Sequence, residues 1–285
     1  MLQTEAWQSE VENYHVSTRM SHLAAVERVI RTMQERIQEA LTLEDMADIA
    51  CLSPYYFCRV FHQIVGIPPG EFLASLRLNA AKRLLLTTSL NVTDICFEVG
   101  YIGVGSFTTR FTQQVGVPPR LLRHLVNNAG MPPLISPPEC SSDQLCVTSS
   151  IHGVSGRIRI AEPFEGIIFI GLFARRIPQG RPVRCTRLTE PGDFYIDMVP
   201  DGCYYLLSAA FPASRDPRVY LLPDETLKVG GYGPLLVRNG VASEPVEIEL
   251  RPHCLTDPPI LAALPFLPAS GQQATPADAR RYCSG

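Results

Sequence analysis

Leu43-Glu44-Asp45-Met46-Ala47-Asp48-Ile49-Ala50, Ser53-Pro54-Tyr55-Tyr56-Phe57-Cys58-Arg59-Val60-Phe61 and Gly66-Ile67-Pro68-Pro69 have a second version further along the chain. It runs Val92-Thr93-Asp94-Ile95-Cys96-Phe97-Glu98-Val99-Gly100, Ser106-Phe107-Thr108-Thr109-Arg110-Phe111 and Gly116-Val117-Pro118-Pro119. Asp45 matches Asp94 at an offset of 49, whereas Phe57, Phe61, Gly66 and Pro69 match Phe107, Phe111, Gly116 and Pro119 at an offset of 50. One extra residue in the second turn accounts for the change. A repeat of this size is two copies of one supersecondary unit.

Each copy reads as helix, turn, helix. Leu43, Met46, Ala47 and Ala50 recur at the i, i+3, i+4, i+7 spacing of a buried stripe. Thr42 caps that helix, with Asp45 three residues on as the reciprocal partner. The turn follows at Cys51-Leu52-Ser53. Ser53 caps the next helix and Pro54 takes its first position, where a missing N–H costs nothing. Phe57, Val60, Phe61 and Ile64 then face inward, and Tyr55, Cys58, Arg59, His62 and Gln63 outward. Gly66 ends the helix in the left-handed conformation and Pro69 opens another. In the second copy Asn91 is the cap, and Val92, Ile95, Cys96 and Val99 form the stripe. Phe107 and Phe111 point in, which leaves Gly103, Gly105, Ser106 and Thr109 outward. Between the copies, residues 71–86 predict one long helix that would fix the separation of the two second helices.

These residues carry a family likeness. Phe57-Cys58-Arg59-Val60-Phe61, Gly66-Ile67-Pro68-Pro69, Arg77-Leu78-Asn79-Ala80-Ala81-Lys82-Arg83-Leu84-Leu85, Ile95-Cys96-Phe97-Glu98-Val99-Gly100-Tyr101 and Ser106-Phe107-Thr108-Thr109-Arg110-Phe111 resemble the DNA-binding domain of AraC/XylS-family transcription regulators. The tandem order, the central helix and both Gly-x-Pro-Pro stops together make the likeness specific, where a lone helix-turn-helix pattern is weak. It implies an all-α, seven-helix domain with two helix-turn-helix units, the second helix of each entering a DNA major groove. In the commonest family layout a cupin-like sensing barrel comes first. Here the reader comes first, so the family's effector pocket and dimerisation helix are not carried over.

Composition bounds the rest. The chain has 285 residues, a net charge of −3 and 46% hydrophobic residues, which predicts two domains with real cores. Residues 19–127 hold 11 Arg or Lys against 9 Asp or Glu. So slight an excess predicts DNA affinity from a few placed side chains and helix N-termini, not from a broad positive field. The nine cysteines are odd in number, without Cys-x-x-Cys or zinc-finger spacing. With a polar first stretch and no membrane-spanning apolar run, they predict a reduced, cytoplasmic protein without metal or other cofactor.

The domain reading is a leader over 1–20, either disordered or docked as a helix, then the DNA-binding domain over 21–127. A linker rich in Pro, Ser and Asn covers 128–150. From residue 151 the hydrophobic period is two. Val154, Gly156, Ile158 and Ile160 alternate with Ser155, Arg157 and Arg159, and Gly-Asp, Asp-Gly and Asn-Gly pairs punctuate the strands that follow. This predicts an antiparallel β-sandwich over 151–254. Val154-Ser155-Gly156-Arg157-Ile158, Pro191-Gly192-Asp193-Phe194-Tyr195-Ile196, Val199-Pro200-Asp201-Gly202-Cys203-Tyr204-Tyr205-Leu206 and Val246-Glu247-Ile248-Glu249-Leu250-Arg251-Pro252 resemble the carboxypeptidase-regulatory-like, transthyretin-like sandwich. A tail rich in Pro and Ala covers 255–285, with an apolar patch over 260–267 and expected disorder beyond residue 270.

The candidate DNA contacts are the outward positions. Pro54, Tyr55, Cys58, Arg59 and Gln63 match the family's DNA-facing places on the first unit. Arg59 leads, since its planar fork suits guanine O6 and N7; the competing reading pairs it with a surface acid. Gly103, Val104, Gly105, Ser106 and Thr109 occupy the matching places on the second unit, with Arg110 beside them, expected to meet a phosphate or an acid. They are small and lack a hydrogen-bonding fork, so the second helix is expected to supply backbone contact and fit more than base reading. Cys58 on this face reads as a bland thiol, because an oxidation switch needs a lowered thiol pKa.

The function expected is sequence-specific transcription regulation on double-stranded DNA. RNA polymerase is a further expected partner, and a small-molecule effector and a second copy of the chain stay open. An enzymatic sandwich is disfavoured, as no Gly-x-Ser-x-Gly, metal spacing or framed acid pair occurs. An interaction role for the sandwich, in sensing, oligomerisation or partner binding, is compatible with the regulator.

Overall fold

The computed structural model describes residues 2–128 and 153–264. Expectations for the rest of the linker, for residues 265–285 and for Met1 lie outside them. The first half is helical: α1 (Leu2–Glu35), α2 (Leu43–Ala50), α3 (Pro54–Val65), α4 (Pro69–Thr87), α5 (Val92–Glu98), α6 (Val104–Val115) and α7 (Pro119–Asn128). Residues 2–20 form the start of α1.

Two cores repeat the sequence duplication. Phe57 and Phe61 meet edge to face at 5.5 Å beside Val29, Ile30 and Met33, and Phe107 and Phe111 meet at 5.7 Å beside Ile95 and Leu122. Helix α4 serves both. Phe72, Leu73 and Leu76 enter the first core, and Leu78, Ala81 and Leu85 the second. At 1.5 Å per residue its 19 residues form a rod about 28 Å long. Gly66 and Gly116 close α3 and α6 at φ 87° and 93°. There an alanine would be strained, because its Cβ crowds the following carbonyl.

The second half is β-rich. It comprises β1 (Gly153–Ile160), β2 (Gly166–Phe173), β3 (Arg184–Leu188), β4 (Asp193–Asp197), β5 (Gly202–Pro212), the short α8 (Arg218–Leu221), β6 (Lys228–Arg238), β7 (Val241–Ala242) and β8 (Val246–Pro252). The described residues therefore hold eight helices in all, the seven of the helical half and α8. The antiparallel sandwich is corrected in one respect. All eight strands belong to one mixed sheet, in which β1 pairs antiparallel with β4 but parallel with β8, from Gly156↔Val246 to Ile160↔Leu250. Alternation along a strand fixes which face is buried but not the direction of its neighbour. Val154, Ile158, Val246, Ile248 and Leu250 share one core with Ile168, Ile170, Leu206 and Leu235, so the sheet folds over on itself.

The β-rich half docks on the helical half through both cores. Ile177 enters the first, and Leu221, Leu261 and Ala263 the second. Arg175 pairs with Glu71 at the start of α4. The Ala263 amide donates to the Val115 carbonyl at 2.9 Å, which satisfies an acceptor that the end of α6 would otherwise leave open. Lys82, fully buried, donates from Nζ to the Ile260 carbonyl at 2.6 Å. Burial, followed by the charge of Arg83, pulls this amine down to about 7. No described helix is long and apolar enough to cross a membrane.

Candidate nucleic-acid interface

The two units begin on the same cap. The Thr42 hydroxyl accepts from the Asp45 amide at 3.1 Å while the Asp45 carboxylate accepts from the Thr42 amide at 2.8 Å, a complete capping box. The bonds that the Thr42 amide and then its hydroxyl donate to the Asp45 carboxylate hold that carboxyl below the usual range. Asn91 caps α5 through the Asp94 amide at 2.9 Å. The turns then correspond as far as Leu52 and Tyr101. The Leu52 amide donates to Ala47 and the Tyr101 amide to Cys96, each at 3.0 Å. Leu52 and Tyr101 both pack against their own core. After Tyr101 the second turn carries one further residue, Ile102, before Gly103 takes the N-cap place that Ser53 holds in the first unit.

On α3 the outward residues stand in solvent. Pro54, Arg59 and Gln63 are exposed, Tyr55 is 83% exposed, and Cys58 is half-buried. The Arg59 guanidinium lies over the Tyr56 ring, 4.9 Å from its centroid. Tyr56 is itself held by an edge contact and a 3.3 Å hydrogen bond with His22. The ring contact steadies the guanidinium while its N–H edge stays open for an acceptor.

On α6 Gly105, Ser106, Thr109 and Arg110 are exposed, and Gly103 and Val104 are half-buried. Val104 leans on the second core. The Ser106 hydroxyl donates to the Gly103 carbonyl at 2.8 Å. Arg110 neighbours the Tyr101 phenol. Burial raises that phenol above its usual value, and Arg110 draws it partly back. Sequence reading passed over Ile102, which is 96% exposed. The change of offset between the repeats was the signal that marks it.

The contacts of the β-rich half fall elsewhere. They gather at the C-terminal ends of α3 and α6, at Gly66, Gln114 and Val115, and along α4. The N-terminal ends of both second helices, where Tyr55 and Ser106 lie, stay uncovered. Among the described residues no group of three or more His, Cys, Asp or Glu is arranged to hold a metal.

A family profile described as a helix-turn-helix domain matches residues 46–124. The HTH-type transcriptional activator AarP of Providencia stuartii is 31% identical over 98 residues, which cover 34% of this chain and 73% of AarP. The bifunctional transcriptional activator/DNA repair enzyme AdaA of Bacillus subtilis is 34% identical over 100 residues, 35% of this chain and 47% of AdaA. A transcriptional regulator with an AraC-type DNA-binding domain from Chromobacterium violaceum is 26% identical in its solved structure, covering 38% of this chain and 96% of that one at a TM-score of 0.36. The chain spans less than half the length of AdaA and of other relatives it matches. The likeness to AarP extends over nearly three quarters of that activator, and the chain belongs to the AraC-type family of helix-turn-helix transcription regulators.

Proposed function

We propose that this protein binds specific duplex DNA with α3 and α6 in successive major grooves on one face, about one helical turn or 34 Å apart. The observation that carries this reading is the freedom of both helix N-terminal ends while the β-rich half is in place. In the first unit Arg59 reads guanine, and Pro54, Tyr55, Cys58 and Gln63 line the contact. In the second, Gly103, Val104, Gly105, Ser106 and Thr109 supply close fit, with Arg110 at the margin. Phosphate contacts set the register and base contacts the specificity. One chain spans two half-sites, so the site need not be palindromic.

The β-rich half acts as a regulatory or interaction part, through an effector, RNA polymerase or a second copy of the chain. AdaA is described as both activator and repair enzyme. For this chain we propose regulation without catalysis, since the β-rich sequence holds no framed nucleophile or paired acids. The test is selection of bound DNA from a random pool with the full chain, followed by titration against salt. A recurrent sequence whose affinity survives nonspecific competitor and falls with salt supports the reading. Recovery of no preferred sequence, or turnover by the full chain of a substrate unrelated to DNA, removes it.

A further inference from the structure

Ile102 has no counterpart in the first unit. Leu52 and Tyr101 hold equivalent places by their amide bonds, and Ser53 and Gly103 by their N-caps, so Ile102 is the inserted residue. It is 96% exposed, and Tyr55 at 83% is the next most exposed large apolar or aromatic side chain among the described residues. A single exposed isoleucine is ordinary. Its place is what matters here, because Tyr55 and Ile102 both stand at the N-terminal end of their unit's second helix.

The surface around Ile102 has little else with which to tell one base pair from another. The Ser106 hydroxyl already donates to Gly103. A Cβ on Gly105 would meet nothing within 4 Å, so the fold does not demand glycine there. Small residues at this end let the helix come close to the floor of a groove and bring Ile102 with it. In the major groove the feature that apolar contact recognises is the thymine C5-methyl group.

We propose that Ile102 is a specificity-determining residue of the second unit, which recognises thymine by packing its side chain on that methyl group. The proposal rests on the DNA-reading function above. It assigns to the second unit a means of base discrimination beyond the short side chains of Ser106 and Thr109.

The experiment uses the full chain and a duplex selected by it. Each thymine is replaced singly by deoxyuridine, which removes only the methyl group. In the half-site left unchanged by Arg59→Ala, one replacement is expected to weaken wild-type binding about fourfold, the factor for burying one methyl. Ile102→Ala should bind the thymine and uracil duplexes equally, and Ile102→Val should keep part of the difference. Matching thermal unfolding of the variants verifies that they fold, and the valine variant carries the test should the alanine one fail to. An unchanged thymine-to-uracil ratio in the variants overturns the proposal, as does a wild-type protein indifferent to every replacement. Loss of assembly with a protein partner at an unchanged ratio would give Ile102 to that partner and overturn it too. If no DNA is selected at all, the DNA-reading function itself fails and the proposal goes with it.

Discussion

At the turn of the first unit Cys51 takes the left-handed conformation at φ 57°, and at the matching turn of the second Gly100 takes it at φ 80°. Behind those turns the packing is the same pair of phenylalanines on the same spacing. In front of them the first unit presents Tyr55, Arg59 and Gln63, and the second presents Gly105, Ser106 and Thr109. Duplication has preserved what holds a helix at an angle and released what that helix shows to the outside. The contrast separates residues whose loss should harm both units alike from residues whose loss should harm one.

The largest effect is expected where the units agree. Phe61→Ala and Phe111→Ala remove matched, fully buried rings, and each should cost about 3–5 kcal/mol in denaturant unfolding. Values differing by more than about 2 kcal/mol would break the equivalence of the cores, given the usual spread at such sites.

Next comes an asymmetry. The second core borders a buried amine, Lys82. Its folded value of about 7 lies below the 10.5 expected of a free lysine. Between those values the unfolded chain holds a proton that the folded chain lacks, so stability should rise with pH across that window. The gain is about 2 kcal/mol between pH 7 and 9. Lys82→Met should flatten the rise, as read from unfolding midpoints at several pH values. An unaltered slope would assign the dependence to other groups.

Of similar size is the difference in reading. Arg59→Ala should weaken specific binding by about 1–3 kcal/mol and relax one position of the site. Thr109→Ala should cost less than about 0.5 kcal/mol, the usual bound for a surface change without such a contact. Binding-site selections with each variant measure both, and greater relaxation from Thr109→Ala would reverse the assignment of the two helices. A last comparison concerns the turns. Cys51→Gly relieves a left-handed non-glycine residue but frees the unfolded chain, so stability should shift by less than about 1 kcal/mol.

The helical half was legible because caps, stripes and glycine stops act through near neighbours, and each was written twice. Thr42, Asp45, Asn91, Gly66 and Gly116 do what their local chemistry requires. The β-rich half was legible as strands, with Val154, Ile158, Ile196, Val246 and Ile248 on the inner face. Its pairing was not, since a parallel partner such as β8 for β1 satisfies the same alternation as an antiparallel one. Lys82 was unreadable for a related reason. It stands next to Arg83 in sequence, and its burial depends on a segment 178 residues away. For the interface, sequence could name outward positions. It could show that the second turn holds one extra residue, but not that Ile102 stands fully exposed there or that Arg59 lies over Tyr56.

The segment that brings Ile260 to Lys82 and Ala263 to Val115 has a practical consequence. A helical half cut away at residue 128 would not be the reader with an accessory removed. It would lose Leu221, Leu261 and Ala263 from its second core, uncover an amine built to be enclosed, and leave a carbonyl at the end of α6 to water. Deletion experiments on this protein would then report the repair of a damaged wall together with the absence of the β-rich half. Point changes in the intact chain separate the two.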